Sequence, residues 1–173
     1  MEITKKGKTE LAEVEVRNLL RKGSDISKKY VTYALIDGLN IAFSRNDGMA
    51  RLEDSLNLLN LLKSSFDHVE LFFDASARYK IDNKTYYSEL VKSGAIIQSP
   101  AATQADDLIW MRAVSLAEKG IIPTILTNDT FPLERNRKAR NKINNTSVTI
   151  LQNGEIYCIP RDMNRKGYNE GKC

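Results

Sequence analysis

The 173-residue chain has few of the side chains on which soft-metal sites and nucleophilic catalysis depend. It contains one histidine, His68, and two cysteines, Cys158 and Cys173. Because structural zinc sites usually take four such ligands, the sequence nearly excludes a Cys/His zinc site. A Ser-His-Asp or Cys-His arrangement would have to use His68, which lies in a polar run where we expect an exposed turn between a helix and a strand.

Other features that the sequence lacks argue against further classes of protein. No apolar run approaches the roughly 20 residues of a membrane-spanning helix, so we expect no membrane partner. The first residues lack the apolar segment of a signal peptide, and the sequence therefore predicts a cytoplasmic protein. The chain has neither a Gly-x-Gly-x-x-Gly motif nor a P-loop, which disfavours nucleotide-cofactor chemistry.

The composition is that of an ordinary soluble domain. Apolar residues make up 42% of the chain and charged residues 28%, and 26 basic against 22 acidic residues give a net charge of +4. That small excess permits a nucleic-acid partner without requiring one. Its distribution is more informative, because the segment from Glu134 to Lys142 carries five basic residues and one acidic residue.

Short apolar runs alternate with helical patterns through the middle of the chain. Four of these runs are predicted to be strands: Tyr33–Ile36, Val69–Phe73, Ala95–Ile97 and Ile121–Leu126. Three segments between them are predicted to be helices: Arg51–Phe66, Lys84–Ser93 and Gln104–Lys119. Strands that alternate with helices pair in parallel through right-handed crossovers, and wholly apolar strands suit a sheet covered on both faces.

Two further segments flank this pattern. Residues Thr9–Lys22 are predicted to be a helix, because acidic residues lie early and basic residues late in the segment. Val148–Leu151 and Ile156–Ile159 surround Asn153-Gly154, a dipeptide typical of a hairpin turn. The expected divisions of the chain are an N-terminal helical extension (1–30), a main domain (31–162) and a basic tail (163–173).

The sequence thus predicts an α/β fold. We expect a three-layer sandwich with a central, mainly parallel, Rossmann-like sheet. The N-terminal helix and the C-terminal β-hairpin are additions, and the hairpin is expected at the edge of the sheet or on top of it.

Acidic residues gather where the predicted strands end. Asp37, Asp74 and Asp129 follow strands, and in open α/β sheets the site lies beyond the carboxyl ends of the strands. Asp106 and Asp107 begin the helix after the third strand, at the same edge. Clustered carboxylates repel one another, and a hard divalent cation such as Mg²⁺ or Mn²⁺ compensates that repulsion. The pattern therefore favours metal-assisted phosphodiester hydrolysis.

Each acidic residue also has a structural explanation. Asp37 before Gly38 could shape a turn, and Asp74 or Asp129 could cap a helix or a turn. Asn40 could hold a carboxylate or a water, or it could cap the segment that follows it.

The paired aspartates have unequal structural explanations. Thr103 to Asp106 matches a capping box, in which Asp106 would reach back to a backbone amide. Asp107 has less structural reason to be acidic, so it carries more of the functional prediction.

At these positions the chain resembles a known group of nucleases. Ile36–Asn40 resembles the Asp-Gly-x-Asn opening of the NYN branch of PIN-domain ribonucleases, notably the regnase-like group. Ala105–Ile109 is similar to their paired-aspartate helix start, and Ile125–Asp129 to their last acidic strand end. Tyr87–Pro100 is similar in part to their third helix and strand, so the resemblance covers about Tyr33–Pro132.

The resemblance implies a PIN-like sheet, a Mg²⁺ or Mn²⁺ site and endonucleolytic cleavage of single-stranded RNA. By position, the site would comprise Asp37, Asn40, Asp106, Asp107 and Asp129. Asp37 would be the central ligand, and Asp106 or Asp107 would bind the metal or position a water. Proteins of this family often pair, so the resemblance also allows a homodimer.

The chain departs from the regnase-like pattern after the last aspartate. The regnase-like proteins carry a further acid four residues later, where this chain has Leu133, with Glu134 one step away. Asp74 could supply the missing charge, so the expected metal ligands are Asp37, Asp107, Asp129 and Asp74. The departure leaves a non-catalytic RNA-binding module on the same fold as the alternative, and a phosphatase on a Rossmann-like sheet as a third hypothesis.

Basic and aromatic side chains flank the expected site. The basic residues expected to hold phosphates are Arg45, Arg78, Lys80, Arg135, Arg137 and Lys138. The aromatic residues that could stack on unpaired bases are Phe43, Tyr79, Tyr86, Tyr87 and Phe131. The structural alternatives are helix packing for Tyr86 and Tyr87, and a solvated face for the basic residues.

Overall fold

The computed structural model describes residues 31–132, Arg135 and residues 142–161, together with the backbone of residues 171–172. Several predicted features lie outside the described residues: the helix Thr9–Lys22, Leu133 and Glu134 at the position of the further acid of regnase-like proteins, the basic residues Arg137 and Lys138, and most of the tail. None of the helices in the described part of the chain has the length and apolarity that crossing a membrane would need.

Within the described residues, seven strands form one mixed sheet in the order β3-β2-β1-β4-β5-β6-β7. The strands are β1 (Tyr33–Asp37), β2 (His68–Phe73), β3 (Ile97–Gln98), β4 (Thr124–Leu126), β5 (Asn144–Ile150), β6 (Ile156–Pro160) and β7 (Gly171–Lys172). Strands β1 to β5 are parallel, whereas β6 and β7 are antiparallel to their neighbours. The predicted α/β fold with a mainly parallel sheet is confirmed.

Five helices whose bounds lie within the described residues connect strands β1 to β4. They are α1 (Gly38–Ala42), α2 (Leu52–Leu62), α3 (Ala77–Lys80), α4 (Lys84–Ser93) and α5 (Ala105–Glu118). The predicted bounds of α4 are confirmed, and α2 and α5 lie within their predicted segments. The short helices α1 and α3 were not predicted, because four or five residues are too few to show a helical period.

Both faces of the sheet are covered, which makes three layers. Successive side chains of a strand point to opposite faces, so Leu35 and Ile36 of β1 enter different cores. Ile36 packs in the core that includes Leu58 of α2 and Tyr87 of α4. Leu35 packs in the core that includes Ile109 of α5. Since each core removes large apolar side chains from water, the helices fix the sheet from both sides.

The predicted C-terminal hairpin is confirmed and extends the edge of the sheet. Strand β5 pairs in parallel with β4 and antiparallel with β6, and Gly154 takes a positive φ of 87° in the turn. The strand begins earlier than its apolar run, at Asn144, because Asn145 and Thr146 are polar but buried in the sheet. Asparagine is rare in strands, so propensity alone does not place Asn144 and Asn145 in β5.

His68 does not lie in a turn, as the sequence suggested, but begins strand β2. It is exposed and stacks on Tyr33, with ring centroids 4.4 Å apart. Tyr33 begins β1, so this pair lies at the amino ends of the strands, opposite the edge where the acidic residues gather. The structure therefore assigns the histidine no place in that acidic edge.

Candidate functional site

Asp37 ends strand β1 and caps helix α1. Its Oδ1 accepts a hydrogen bond from the Asn40 backbone nitrogen at 3.4 Å, and its Oδ2 accepts one from the Thr127 hydroxyl at 2.9 Å. The side chain is only 4% exposed. Burial raises the pKa of Asp37 to about 7, with Asp106 and Asp129 adding to the rise and the Thr127 hydrogen bond opposing it.

Gly38 allows Asp37 to reach this position. A Cβ atom at Gly38 would lie 2.6 Å from the Phe73 ring and 2.7 Å from the backbone oxygen of Phe72. A side chain at residue 38 would therefore force β2 or the turn from β1 into α1 to shift. The Asp-Gly step in the sequence has this close approach as its physical reason.

Three carboxylates converge at this edge of the sheet. Among the described residues, one oxygen each from Asp37, Asp106 and Asp129 lies within 4.8 Å of the others. Asp37 is buried, Asp106 is half-buried and Asp129 is exposed, so the cluster runs from the core to solvent. Burial raises the pKa of Asp106, and the charges of Asp129 and Asp74 raise it further. A set of convergent carboxylate oxygens fits a hard divalent cation such as Mg²⁺ or Mn²⁺.

Adjacent aspartates at the start of α5 take different roles. Asp106 belongs to the cluster, whereas the Asp107 side chain is 52% exposed and accepts a hydrogen bond from Arg135 at 2.8 Å. The structure thus places the expected ligand Asp107 outside the cluster, because successive helical residues point about 100° apart. The capping box predicted for Asp106 is not formed, since Gln104 is the N-cap and makes no side-chain capping bond.

Asp74 caps α5 from a distance in the sequence. Its Oδ1 accepts a hydrogen bond from the Ala105 backbone nitrogen at 2.7 Å, which confirms a capping role but for a helix 31 residues further on. The expected metal ligand Asp74 is therefore not among the three clustered carboxylates. It holds the start of α5, and so it helps to set the position of Asp106.

The loop between β3 and α5 also forms part of this wall. Ser99 anchors it, because its backbone nitrogen donates to Phe73 at 2.8 Å and its hydroxyl donates to the Thr103 carbonyl at 2.7 Å. Ala102 takes a left-handed conformation with φ of 67°, which is unusual for a residue with a side chain.

Thr127, Asn128 and Asn40 form hydrogen bonds that fix the end of β4 near the cluster. Thr127 and Asn128 were not predicted from the sequence as site residues. Thr127 donates to Asp37 and accepts from the Asp129 backbone nitrogen at 3.2 Å. The backbone nitrogen of Asn40 donates to Asp37, the cap of α1, while its side-chain oxygen accepts from the Asn128 backbone nitrogen at 2.8 Å. The only signal in the sequence for these roles is that Thr127 and Asn128 precede an acidic strand end.

A cleft of about 720 Å³ opens over the carboxylates. Its lining includes the three clustered aspartates, Asp74, Asn40, Phe43 and Lys80. The cleft thus combines an acidic end with one aromatic ring and one ammonium group. These are groups that bind a cation, an unpaired base and a phosphate, respectively.

The expected phosphate-binding residues divide into groups. Arg45 is engaged within the fold, because its guanidinium makes a bidentate pair with buried Asp54 at 2.6 and 2.8 Å and donates to the Gln152 carbonyl. Arg135 is engaged by Asp107. Arg78 and Lys80 are exposed, and Lys80 lines the cleft.

The expected stacking residues divide in the same way. Tyr87 is 1% exposed and packs edge-on against Phe73, so helix packing explains it. Tyr79 and Tyr86 are exposed, and the Arg78 guanidinium lies 4.6 Å from the Tyr79 ring centre. Phe43 lines the cleft.

No protein-family model matches the chain, and no curated protein matches its sequence.

Proposed function

We propose that the protein is a Mg²⁺- or Mn²⁺-dependent endoribonuclease that hydrolyses phosphodiester bonds in single-stranded RNA. The observation that supports this most is the convergence of Asp37, Asp106 and Asp129 from three separate parts of the chain. Three carboxylates this close repel one another, and one is buried, so the arrangement is unfavourable without a compensating positive charge. A divalent cation held there would activate water and stabilise charge on a phosphoryl oxygen.

The three carboxylates are unequal in ways that suit this proposal. Asp37 is held by Thr127 and Asn40, so it can serve as a fixed inner ligand. Asp129 is exposed at the outer side of the cluster, where an RNA phosphate would arrive. Asp106 lies in the first turn of α5, where the helix dipole partly offsets its negative charge.

The cleft supports a single-stranded substrate. Phe43 offers a ring for an unpaired base, and base-aromatic stacking does not depend on the base's identity. Lys80 offers a positive charge for a phosphate at the same cleft, and the exposed Arg78–Tyr79 pair lies next to it in the chain. The similarity of the Asp-Gly-x-Asn and paired-aspartate motifs to NYN-type PIN ribonucleases supports the same substrate class.

The decisive experiment compares adjacent aspartates. A labelled single-stranded RNA is incubated with the protein and Mn²⁺ or Mg²⁺, and cleavage products are measured for the wild type, Asp106→Asn and Asp107→Asn. We expect Asp106→Asn to lose roughly 100-fold or more in rate, since even outer-shell partners of metal ligands typically cost 10- to 100-fold. Asp107→Asn should keep its rate within a few-fold, because its carboxylate is paired with Arg135 instead.

Two results would contradict the proposal. One is an absence of metal-dependent cleavage by the wild type across a range of Mn²⁺ and Mg²⁺ concentrations. The other is equal activity of the wild type and the Asp106→Asn variant, which would indicate a contaminating nuclease.

A specific observation favours a second candidate, a non-catalytic RNA-binding module on the same fold. Two of the five expected carboxylates, Asp74 and Asp107, are engaged by Ala105 and Arg135 rather than by the cluster. This candidate predicts salt-dependent RNA binding that is unaffected by a chelator and is not followed by cleavage.

A further inference from the structure

Asp129 must be held in place by its neighbours if it is to act with the cluster. It lies just beyond β4 in an irregular segment, and its side chain is exposed. A carboxylate on an unsupported loop would lose conformational freedom on binding a cation, which would weaken that binding. The contacts that fix its backbone are therefore part of the site.

Arg161 makes the most extensive of these contacts. It directly follows β6, and its guanidinium donates to the backbone carbonyls of Asn128 at 2.8 Å and Asp129 at 2.7 Å. Its Nε donates to the Ser147 hydroxyl of β5, and its backbone nitrogen donates to the Asn145 carbonyl at 2.7 Å. The rigid guanidinium fork thus joins the C-terminal hairpin to the loop that carries Asp129.

Asn128 joins the same loop to the same hairpin. Its side-chain nitrogen donates to the Val148 carbonyl, and its side-chain oxygen accepts from the Val148 nitrogen, both at 2.8 Å. The amide therefore pairs with β5 as a strand residue would. Because Arg161 and Val148 both belong to the hairpin region, the hairpin supports the acidic edge and is more than an addition to the sheet.

We propose that Arg161 is a positioning residue for the cation site, fixing the backbone of Asp129 so that its carboxylate stays within reach of Asp37 and Asp106. The inference rests on the proposed function, because it takes the cluster to be a cation site. A lysine in this position could not make the same contacts, since an ammonium group lacks the planar fork that reaches two carbonyls and a hydroxyl together.

The test measures Mn²⁺ affinity of the full chain without RNA, from the electron paramagnetic resonance signal of free Mn²⁺. The variants are Arg161→Gln, Arg161→Lys and the control Arg112→Gln. Arg112 is a matched control, because its Nε and Nη2 also make a bidentate contact, with Glu70, but its guanidinium lies 5.5 Å from the ring centre of Tyr33 at the amino end of β1. Loss of either arginine should lower thermal stability, but only loss of Arg161 should weaken Mn²⁺ binding.

We expect Arg161→Gln to weaken Mn²⁺ binding roughly 10- to 100-fold, the range typical of groups that orient metal ligands. Arg161→Lys should fall between the wild type and Arg161→Gln, which keeps the test usable if the glutamine variant does not fold. Arg112→Gln should bind Mn²⁺ within about twofold of the wild type, since it touches no residue of the cluster. Equal Mn²⁺ affinity of the wild type and both Arg161 variants would overturn the inference while leaving the proposed function intact.

A second measurement distinguishes failure of the proposed function from failure of the inference about Arg161. Amide hydrogen exchange at Asn128 and Asp129 in the metal-free protein should be faster in Arg161→Gln than in Arg112→Gln. A wild type that binds no Mn²⁺ would overturn the proposed function and the cation role of Arg161, whatever the exchange rates. Unchanged exchange would overturn the contact on which the inference depends.

Discussion

Replacing Asp37 with asparagine should stabilise the metal-free protein above neutral pH and remove its response to divalent cations. The pKa of Asp37 is about 7 in the folded protein against 3.8 for an unperturbed aspartate. A difference of about 3 units corresponds to about 4 kcal/mol of unfavourable free energy when the folded carboxylate is ionised. Asparagine has nearly the same shape and carries no charge.

The pH dependence has a definite sign. Below pH 3.8 the carboxyl group is neutral in both states, and the stability is at its full value. Between pH 3.8 and about 7 the unfolded state releases the proton first, so the free energy of unfolding falls as the pH rises. Above about pH 7 the loss is complete. The raised pKa of Asp106 adds to the same trend.

The expected gain is smaller than the full electrostatic term. Asparagine can still accept from the Asn40 nitrogen, but it loses the hydrogen bond from Thr127, which offsets about 1 to 1.5 kcal/mol. A net gain of about 2 to 3 kcal/mol remains at pH 8, equivalent to roughly 5 to 10 °C in melting temperature.

The assay is thermal unfolding from pH 4 to pH 9, first in a chelator and then in Mn²⁺. In the chelator, the difference between Asp37→Asn and the wild type should grow up to about pH 7 and then stay constant. In Mn²⁺ only the wild type should gain stability, since a cation that binds the folded state raises its melting temperature. Asp107→Asn, which changes a carboxylate outside the cluster, should follow the wild type in both solutions. A variant that is less stable than the wild type at pH 8 in the chelator would refute the electrostatic reasoning.

Two further changes test how the site is positioned. Asp74→Ala removes the cap of α5, so it should lose about 1 kcal/mol of stability and bind Mn²⁺ more weakly in calorimetric titration. Asp74→Asn should retain most of the stability and of the Mn²⁺ affinity, because its amide oxygen can accept from Ala105. Equal Mn²⁺ affinity of the wild type and the alanine variant would contradict this. Gly38→Ala should cost about 1 to 3 kcal/mol in urea unfolding, since a Cβ atom there would overlap Phe73 and the backbone of Phe72; an unchanged midpoint would show that β2 can move aside.

The strand-end acids were predictable because their positions follow from the direction of the chain. A residue after a parallel strand lies at the carboxyl edge of the sheet whatever surrounds it, which places Asp37 and Asp129 together. The helix residues were not predictable to the same degree. A shift of one residue in the start of α5 would exchange Asp106 and Asp107, and the sequence alone does not fix helix starts that closely.

The partners of Asp74 and Arg45, which lie far away in the sequence or have no local signal, could not be predicted from the sequence either. Asp74 looks like an acid at a strand end, but its role is set by a helix that begins 31 residues later. Arg45 looks like a surface base, yet Asp54 is buried and holds it in a bidentate pair. Neither pairing has a local signal, because charged residues in a helix or a loop are usually solvated and only the packed structure shows which are not.

The residues of the candidate site lower the stability of the fold. A neutral side chain in place of Asp37 would suit its buried surroundings better, and a side chain at residue 38 would collide with β2 in the turn that brings Asp37 there. Proteins commonly accept such local costs where function requires them. Here the cost falls on one carboxylate that the hydrogen bonds of Thr127 and Asn40 hold in place, while the exposed partner Asp129 contributes little to it. That asymmetry is difficult to explain as packing, and it is the arrangement expected if a cation entering from the solvent side is what makes the buried carboxylate favourable.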